Sequence, residues 1–134
     1  MPSDIKLEKA EDLALEIVKL HRYLTDNKRE FTLSNQILRS GTSIGANIAE
    51  AQYSESNADF VHKLGISRKE ANETLYWLRL LCKGDYIDKE MFLHLYSKTE
   101  EMLRILTSII LSLKRSPNNP PYLVLHTSYF KSRT

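Results

Sequence analysis

The chain has few of the residues that mark disulfide-rich, fibrous or membrane-spanning proteins. Its 134 residues include one cysteine, four glycines, four prolines and one tryptophan. One cysteine excludes an intrachain disulfide framework and indicates a reducing compartment. The longest apolar runs are only a few residues long, far short of the roughly 20 residues that a membrane-spanning helix needs. The length and remaining composition are those of one globular domain.

The first residues also lack the basic region and apolar core of a signal peptide. We therefore expect a cytoplasmic protein of bacterial type with no membrane association. Cys82 ends the leucine-rich run Leu78-Arg79-Leu80-Leu81-Cys82, which predicts a buried structural thiol.

Acidic residues are absent after Glu101. Residues 1–101 hold fourteen Lys or Arg against seventeen Asp or Glu, a balance of −3, whereas residues 102–134 hold five basic residues and no acid. This excess has two interpretations. Cations are favourable at a helix C-terminus, or they attract phosphate backbones and other acidic surfaces.

Hydrophobic periodicity predicts four helices and no strands. The first helix is expected from about residue 4 to residue 26. The second is expected from an N-cap at Ser34 to about Tyr53, the third from Ser56 to a stop at Gly84, and the fourth from Asp88 onwards. Short connections between four helices predict an all-α, antiparallel up-and-down bundle over residues 1–115. Residues 116–134 contain three prolines and are predicted to form an extended tail, with disorder as the alternative.

Two features of the helices predict how they pack. Seven of the twelve residues from Ser40 to Ala51 are Gly, Ala or Ser, which predicts that the second helix packs tightly at the centre of the bundle. The fourth helix carries two adjacent apolar rows, which indicates self-association. The first row is Phe92, Leu95, Thr99, Met102, Leu106, Ile109 and Leu113, and the second is Tyr96, Leu103 and Ile110.

The inner helices also carry polar residues that need partners if buried. We interpret them as a structural polar network that specifies register or subunit contacts, with a ligand-binding or catalytic role as the alternative. Its members are Arg39, Asn47, Glu50, Glu70 and Glu73.

No enzyme pattern accompanies these residues. A di-iron bundle needs two Glu-x-x-His units, and the chain has only the approximation Asp59-x-x-His62. No arginine precedes a histidine at the spacing of helical-bundle RNases, and no phosphate loop or nucleophile elbow is present. We expect no catalytic residue, no metal and no cofactor.

The segment Gln36-Ile37-x-Arg39-Ser40-x-x-Ser43-Ile44-x-x-Asn47-Ile48-Ala49-Glu50 resembles the signature of the four-helix bundle family encoded in intervening sequences of bacterial 23S rRNA genes. That family is also labelled S23 ribosomal protein. The resemblance covers about residues 10–115 and includes Ser54-Glu55-Ser56, Phe60 and the segment 68–74. It implies a homopentamer of antiparallel bundles around a central channel. It also implies a likeness to the accessory variability protein of diversity-generating retroelements, which partners a reverse transcriptase and binds nucleic acid.

Three functional hypotheses follow. The first is a non-enzymatic oligomeric scaffold or adaptor that binds a protein partner. The second is a nucleic-acid-binding accessory protein for RNA or DNA, although the chain is nearly neutral where the nucleic-acid-binding relatives are basic. Its predicted surface is a basic cluster at one end of the bundle, formed by Lys6, Lys9, Lys114 and Arg115. The third, a hydrolase, has no supporting residues.

Overall fold

The computed structural model describes residues 4–115, which form four α-helices and no strand within that range. The predicted tail, residues 116–134, lies outside the described residues. Each helix packs against two others, in the pairs α1–α2, α2–α3, α3–α4 and α1–α4. The helices are α1 (Ile5–Asp26), α2 (Thr32–Ala51), α3 (Asn57–Lys83) and α4 (Lys89–Arg115).

Three of the four predicted helix starts are confirmed. The Asp4 carboxylate accepts a hydrogen bond from the Leu7 amide at 3.3 Å, and the Ser56 hydroxyl accepts one from the Asp59 amide at 3.0 Å. The Asp88 carboxylate accepts a hydrogen bond from the Met91 amide, in the first turn of α4, at 2.8 Å. Each bond satisfies an amide that has no partner inside its helix.

The predicted start of α2 is wrong. Ser34 is the third residue of the helix and is buried, so it is not the N-cap. Phe31 occupies the N-cap position and its side chain makes no capping bond, so Glu30, the residue before it, supplies the acceptor with its longer side chain. Its carboxylate accepts bonds from the amides of Thr32, Leu33 and Ser34 at 3.2, 3.0 and 2.7 Å.

Helix α3 stops at Gly84 as predicted, whereas α2 ends two residues before the expected Tyr53. Helix α2 ends at Ala51, and Tyr53 lies in the following connection with its side chain largely exposed. Gly84 caps α3 with an ordinary φ of −84°, whereas the next residue, Asp85, has a φ of 66°. The left-handed conformation therefore falls on Asp85, since a short polar side chain tolerates it.

The small residues of α2 bring its backbone close to α1, as predicted. Gly45 lies against Ala10, and Gly41 lies against Ile17. Residue numbers thus rise along α2 while they fall along α1. The same opposite order holds between α2 and α3, where Ser40 contacts Thr74 and Ile44 contacts Ser67.

The apolar row of α4 is buried from Leu95 to Leu113, which confirms it as the core face, although Phe92 is only partly buried. The second row is not a free surface. Ile110 is fully in the core, and Tyr96 and Leu103 are partly covered against it. Helix α4 therefore exposes less apolar surface than was predicted from its two apolar rows. In α3, Leu81 rather than Cys82 occupies the core, and Cys82 is half-buried.

Candidate functional site

An open groove of about 880 Å³ runs between α3 and α4. Four cationic side chains line it: Arg68 and Lys69 from α3, and Arg104 and Arg115 from α4. No acidic side chain of the described chain is among the lining residues. The others are Asn72, Leu103, Thr107, Ser108, Leu111 and Ser112. We call this surface the α3–α4 groove.

Helical geometry explains why these cations share one surface. Arg104 and Arg115 are eleven residues apart, which is about three turns, so both point to the same side of α4. Arg68 and Lys69 are consecutive on the part of α3 that faces this side. None of the four forms an ion pair with another residue between 4 and 115. Their charges are therefore available to an anion, and the hydroxyl groups between them can donate further hydrogen bonds.

The predicted basic cluster of Lys6, Lys9, Lys114 and Arg115 does not form. The Lys6 side chain is fully buried, and its Nζ donates to Asp4 Oδ2 at 2.6 Å. Burial lowers the pKa of Lys6, although the Asp4 carboxylate opposes that shift. Lys6 therefore belongs to the packed end of α1 and presents no charge to a ligand.

The register of α1 against α4 explains why Lys9 does not lie near Lys114 and Arg115. Lys9 Nζ donates to Glu101 Oε2 at 3.1 Å. Glu101 precedes Arg115 by fourteen residues, or about 21 Å along α4. Lys9 is thus paired and distant from the end of α4. Arg115 joins the α3–α4 groove, and Lys114 is exposed but does not line it.

The predicted polar network is brought together only in part. Arg39 donates to Glu70 at 2.8 Å and also to Glu73, and these bonds, led by the one to Glu73, raise the pKa of Arg39. Asn47 donates to a carbonyl of its own helix at 2.8 Å. Glu50 is exposed, and it is too far from Arg39 to pair with it, since eleven residues separate the two by about 16 Å along α2.

This Arg39 group is a surface bridge rather than a buried network. The Arg39 side chain is 50% exposed. Glu73 also accepts a bond from the Trp77 indole at 3.2 Å. The arrangement fixes α2 against α3 at their rim.

The buried polar contacts between α2 and α3 are made by hydroxyl groups. The hydroxyls of Ser40 and Thr74 lie 2.9 Å apart, and Ser67 donates to the Ile44 carbonyl at 2.8 Å. All three hydroxyl residues are fully buried. Their positions within the apolar stripes of α2 and α3 are the sequence signal for these buried contacts.

Helices α1 and α4 are joined by a further polar contact. Glu16 Oε1 lies 2.6 Å from His94 Nε2, and Glu16 Oε2 lies 3.1 Å from Lys98 Nζ. Burial raises the pKa of Glu16, but the bonds from His94 and Lys98 outweigh it, so the pKa is lowered overall. This contact supports packing and lines no groove.

Residues 4–115 contain no group of three or more His, Cys, Asp or Glu side chains placed to hold a metal ion. None of the four helices in that range combines the length and apolar character that a membrane crossing requires. Residues 4–115 thus form an all-helical, four-helix protein that carries the cationic α3–α4 groove on its surface.

Comparison with known proteins agrees with this description. The 23S rRNA-intervening sequence protein family matches residues 5–108, and the chain belongs to that family. A crystal structure of a protein of unknown function from the S23 ribosomal protein family of Bacteroides thetaiotaomicron is similar to it. The two are 48% identical with a TM-score of 0.78, over 78% of this chain and 97% of the other. No curated protein matches the chain.

Proposed function

We propose that this protein acts by binding rather than by catalysis, and that its ligand is nucleic acid held by the α3–α4 groove. The observation that carries the proposal is the set of four cations in one groove, without an acidic neighbour in its lining and without ion-pair partners in the described chain. Phosphate backbones supply the repeated negative charge that such a surface attracts. Guanidinium groups add bidentate hydrogen bonds to phosphate oxygens.

This proposal places nucleic-acid binding ahead of the scaffold or adaptor hypothesis, which the sequence favoured. Near-neutral net charge argued against nucleic acid, and a scaffold or adaptor with a protein partner came first. Local charge decides the encounter with a polyanion, however, since charges beyond about 8–10 Å are screened at physiological salt. Some of the acidic residues that offset the basic charge of the chain are paired with cations outside the groove lining. Glu16 and Glu101 bind cations between α1 and α4, and Glu70 and Glu73 bind Arg39.

The test removes two groove cations and compares a charge-matched control. Lys69→Gln with Arg104→Gln removes two exposed cations from the groove. Lys19→Gln with Arg22→Gln removes two exposed cations from α1, outside the groove. Binding of a labelled RNA and a labelled DNA is measured by fluorescence anisotropy across a salt series, and circular dichroism checks that both variants remain helical.

The groove variant is expected to bind more weakly and to show a shallower dependence of log affinity on log salt. Two lost phosphate contacts reduce that slope by about 1.4 for a single strand. The control variant is expected to keep the wild-type slope. Equal losses in the two variants would indicate a diffuse charge effect, and absence of binding at low salt would reject nucleic acid as the ligand.

We also propose that copies of the chain assemble into a homopentamer of antiparallel bundles and so act as an oligomeric scaffold. The opposite residue order in the α1–α2 and α2–α3 contacts supports the antiparallel arrangement. Leu15 of α1 and Leu93 of α4 support assembly, because both are at least half exposed and lie outside the α3–α4 groove. Five chains of 15.6 kDa give about 78 kDa. Light scattering that finds 15.6 kDa at micromolar concentration would reject assembly.

A reverse transcriptase is the protein partner proposed from the likeness to retroelement accessory proteins. Co-purification with a reverse transcriptase from the same genome tests it. The expected result is a stoichiometric complex, and separate elution would reject this partner.

A further inference from the structure

A group of aromatic side chains adjoins the α3–α4 groove on the side towards the α3–α4 connection. Tyr76 of α3 is 47% exposed and lies one turn beyond Asn72, which lines the groove. The Arg79 guanidinium lies over the Tyr76 ring at 5.9 Å and donates to the Tyr96 hydroxyl at 3.0 Å. Arg79 therefore connects Tyr76 on α3 with an aromatic residue of α4, and we call these three residues the aromatic platform.

The platform and the groove cations are aligned along α3. Lys69 and Tyr76 are seven residues apart, so they lie about 10.5 Å apart along the axis and point within about 20° of the same direction. That length corresponds to about three nucleotides of a stacked strand at about 3.4 Å each. One strand can thus contact a groove cation and the Tyr76 ring at the same time.

We infer that the groove and the platform together bind single-stranded nucleic acid, with phosphates on the groove cations and an unpaired base stacked on Tyr76. The inference rests on the proposed function and specifies its ligand class. A base inside a duplex has both faces covered by neighbouring pairs, so an aromatic side chain stacks only on a base that has left the stack. Cationic grooves with adjoining aromatic rings bind single strands without needing a particular sequence.

The surroundings of Tyr76 fit this role better than a packing role. Its ring is too exposed to be a core residue, and its hydroxyl makes no hydrogen bond with residues 4–115. Arg79 orients the ring from one side, and the Tyr76 and Trp77 rings meet in a T-shaped contact with their centroids 5.1 Å apart. Trp77 is the chain's single tryptophan, so its fluorescence reports on events at Tyr76.

The experiment compares a single strand with a duplex. The probes are a fluorescein-labelled oligothymidylate of about 12 nucleotides, within the usual site size, and a labelled DNA duplex of the same length. The variants are Tyr76→Leu, Tyr76→Phe and, as a matched control, Phe31→Leu. Phe31 is half exposed in the α1–α2 connection, outside the groove. Affinity is measured by anisotropy, and Trp77 fluorescence is titrated with the unlabelled strand.

Tyr76→Leu is expected to weaken single-strand binding about 5- to 150-fold, the usual effect of losing one stacked base. Duplex affinity is expected to change by less than about twofold, because phosphate contacts remain. Tyr76→Phe and Phe31→Leu are expected to bind the single strand like the wild type. Trp77 fluorescence is expected to change with the single strand and to saturate at the same Kd.

Two outcomes would overturn the inference while leaving the proposed function intact. One is an equal effect of Tyr76→Leu on single strand and duplex, including no effect on either, while Lys69→Gln with Arg104→Gln still weakens both. The other is a change of mass in solution for Tyr76→Leu that accounts for its loss of affinity, since Tyr76 would then contact a second copy of the chain. Failure of the wild type to bind either probe at low salt would reject both proposals.

Discussion

Gly41 of α2 faces Ile17 of α1 at a distance that leaves no room for a side chain. A methyl group on the Gly41 Cα would lie 2.9 Å from Ile17 Cγ1 and 3.0 Å from Ile17 Cγ2. Ile17 is fully buried, and its branched Cβ restricts it to few rotamers. Glycine at this position therefore sets the spacing between the two helices.

Gly41→Ala is expected to lower the free energy of unfolding by up to about 2 kcal/mol. Overpacking in a core costs about 1–3 kcal/mol, and the better helix propensity of alanine returns about 1 kcal/mol of that. Urea denaturation followed by circular dichroism measures the difference.

Gly65→Ala is the matched control, since Gly65 lies inside α3 and an added methyl group would meet nothing within 4 Å. Here only the propensity term remains, so the free energy of unfolding is expected to rise by about 0.5–1 kcal/mol. Stabilisation by both substitutions would contradict the close approach of α1 and α2.

The fold was largely readable from the sequence because its signals are local. Apolar spacing placed all four helices, and capping residues placed three of their starts within a residue or two. The start of α2 was missed because Glu30 caps from outside the helix with a long side chain. The exposure of the second α4 row was overestimated because periodicity does not say which neighbour covers Ile110.

The candidate site was less predictable because it depends on register between helices. The excess of basic residues after Glu101 is visible in the sequence, and Arg115 of that region lines the α3–α4 groove. The predicted neighbours of Arg115 were wrong, because Lys9 and Glu101 set an α1–α4 register that leaves the α4 terminus beyond α1. The eleven-residue spacing of Arg104 and Arg115 was the usable signal. Their proximity to Arg68 and Lys69 follows only from the packed structure.

The buried pair of Ser40 and Thr74 is expected to show energetic coupling. Thr74→Val leaves the Ser40 hydroxyl with only a 3.5 Å contact to a carbonyl of its own helix, which costs about 1–3 kcal/mol. Ser40→Ala is expected to cost less, because Thr74 still donates to the Glu70 carbonyl at 2.8 Å.

The double variant should be more stable than the sum of the single effects by about 1 kcal/mol, since removing both hydroxyls leaves neither unpaired. Urea denaturation of all four proteins completes the cycle. Strict additivity would show that this contact contributes nothing.

Glu30 is expected to be the residue on which the start of α2 depends. Glu30→Ala removes the acceptor of three amide bonds and is expected to cost about 1–2 kcal/mol, the upper range for loss of a cap. Glu55→Ala, in the exposed α2–α3 connection, is the matched control and is expected to stay within about 0.5 kcal/mol of the wild type. Thermal unfolding compares the two, and equal Tm values would reject Glu30 as the cap.

Glu16 is expected to make stability depend on acid. Its pKa is lowered in the folded chain from an ordinary value of 4.5 because His94 and Lys98 bind the carboxylate, which outweighs the opposing effect of burial. The unfolded chain therefore binds more protons around and below pH 4.5, so the contribution of Glu16 is present above that pH and is lost as pH falls through the lower folded pKa. Glu16→Gln is expected to lower the free energy of unfolding by about 0.5–1 kcal/mol at pH 7, and the difference should shrink towards pH 3.

Urea denaturation between pH 7 and pH 3 measures this difference. The control is Glu11→Gln, which alters an exposed carboxyl of α1 that forms no ion pair with residues 4–115. A Glu16→Gln difference that stays constant over this range would show that His94 and Lys98 do not stabilise the carboxylate.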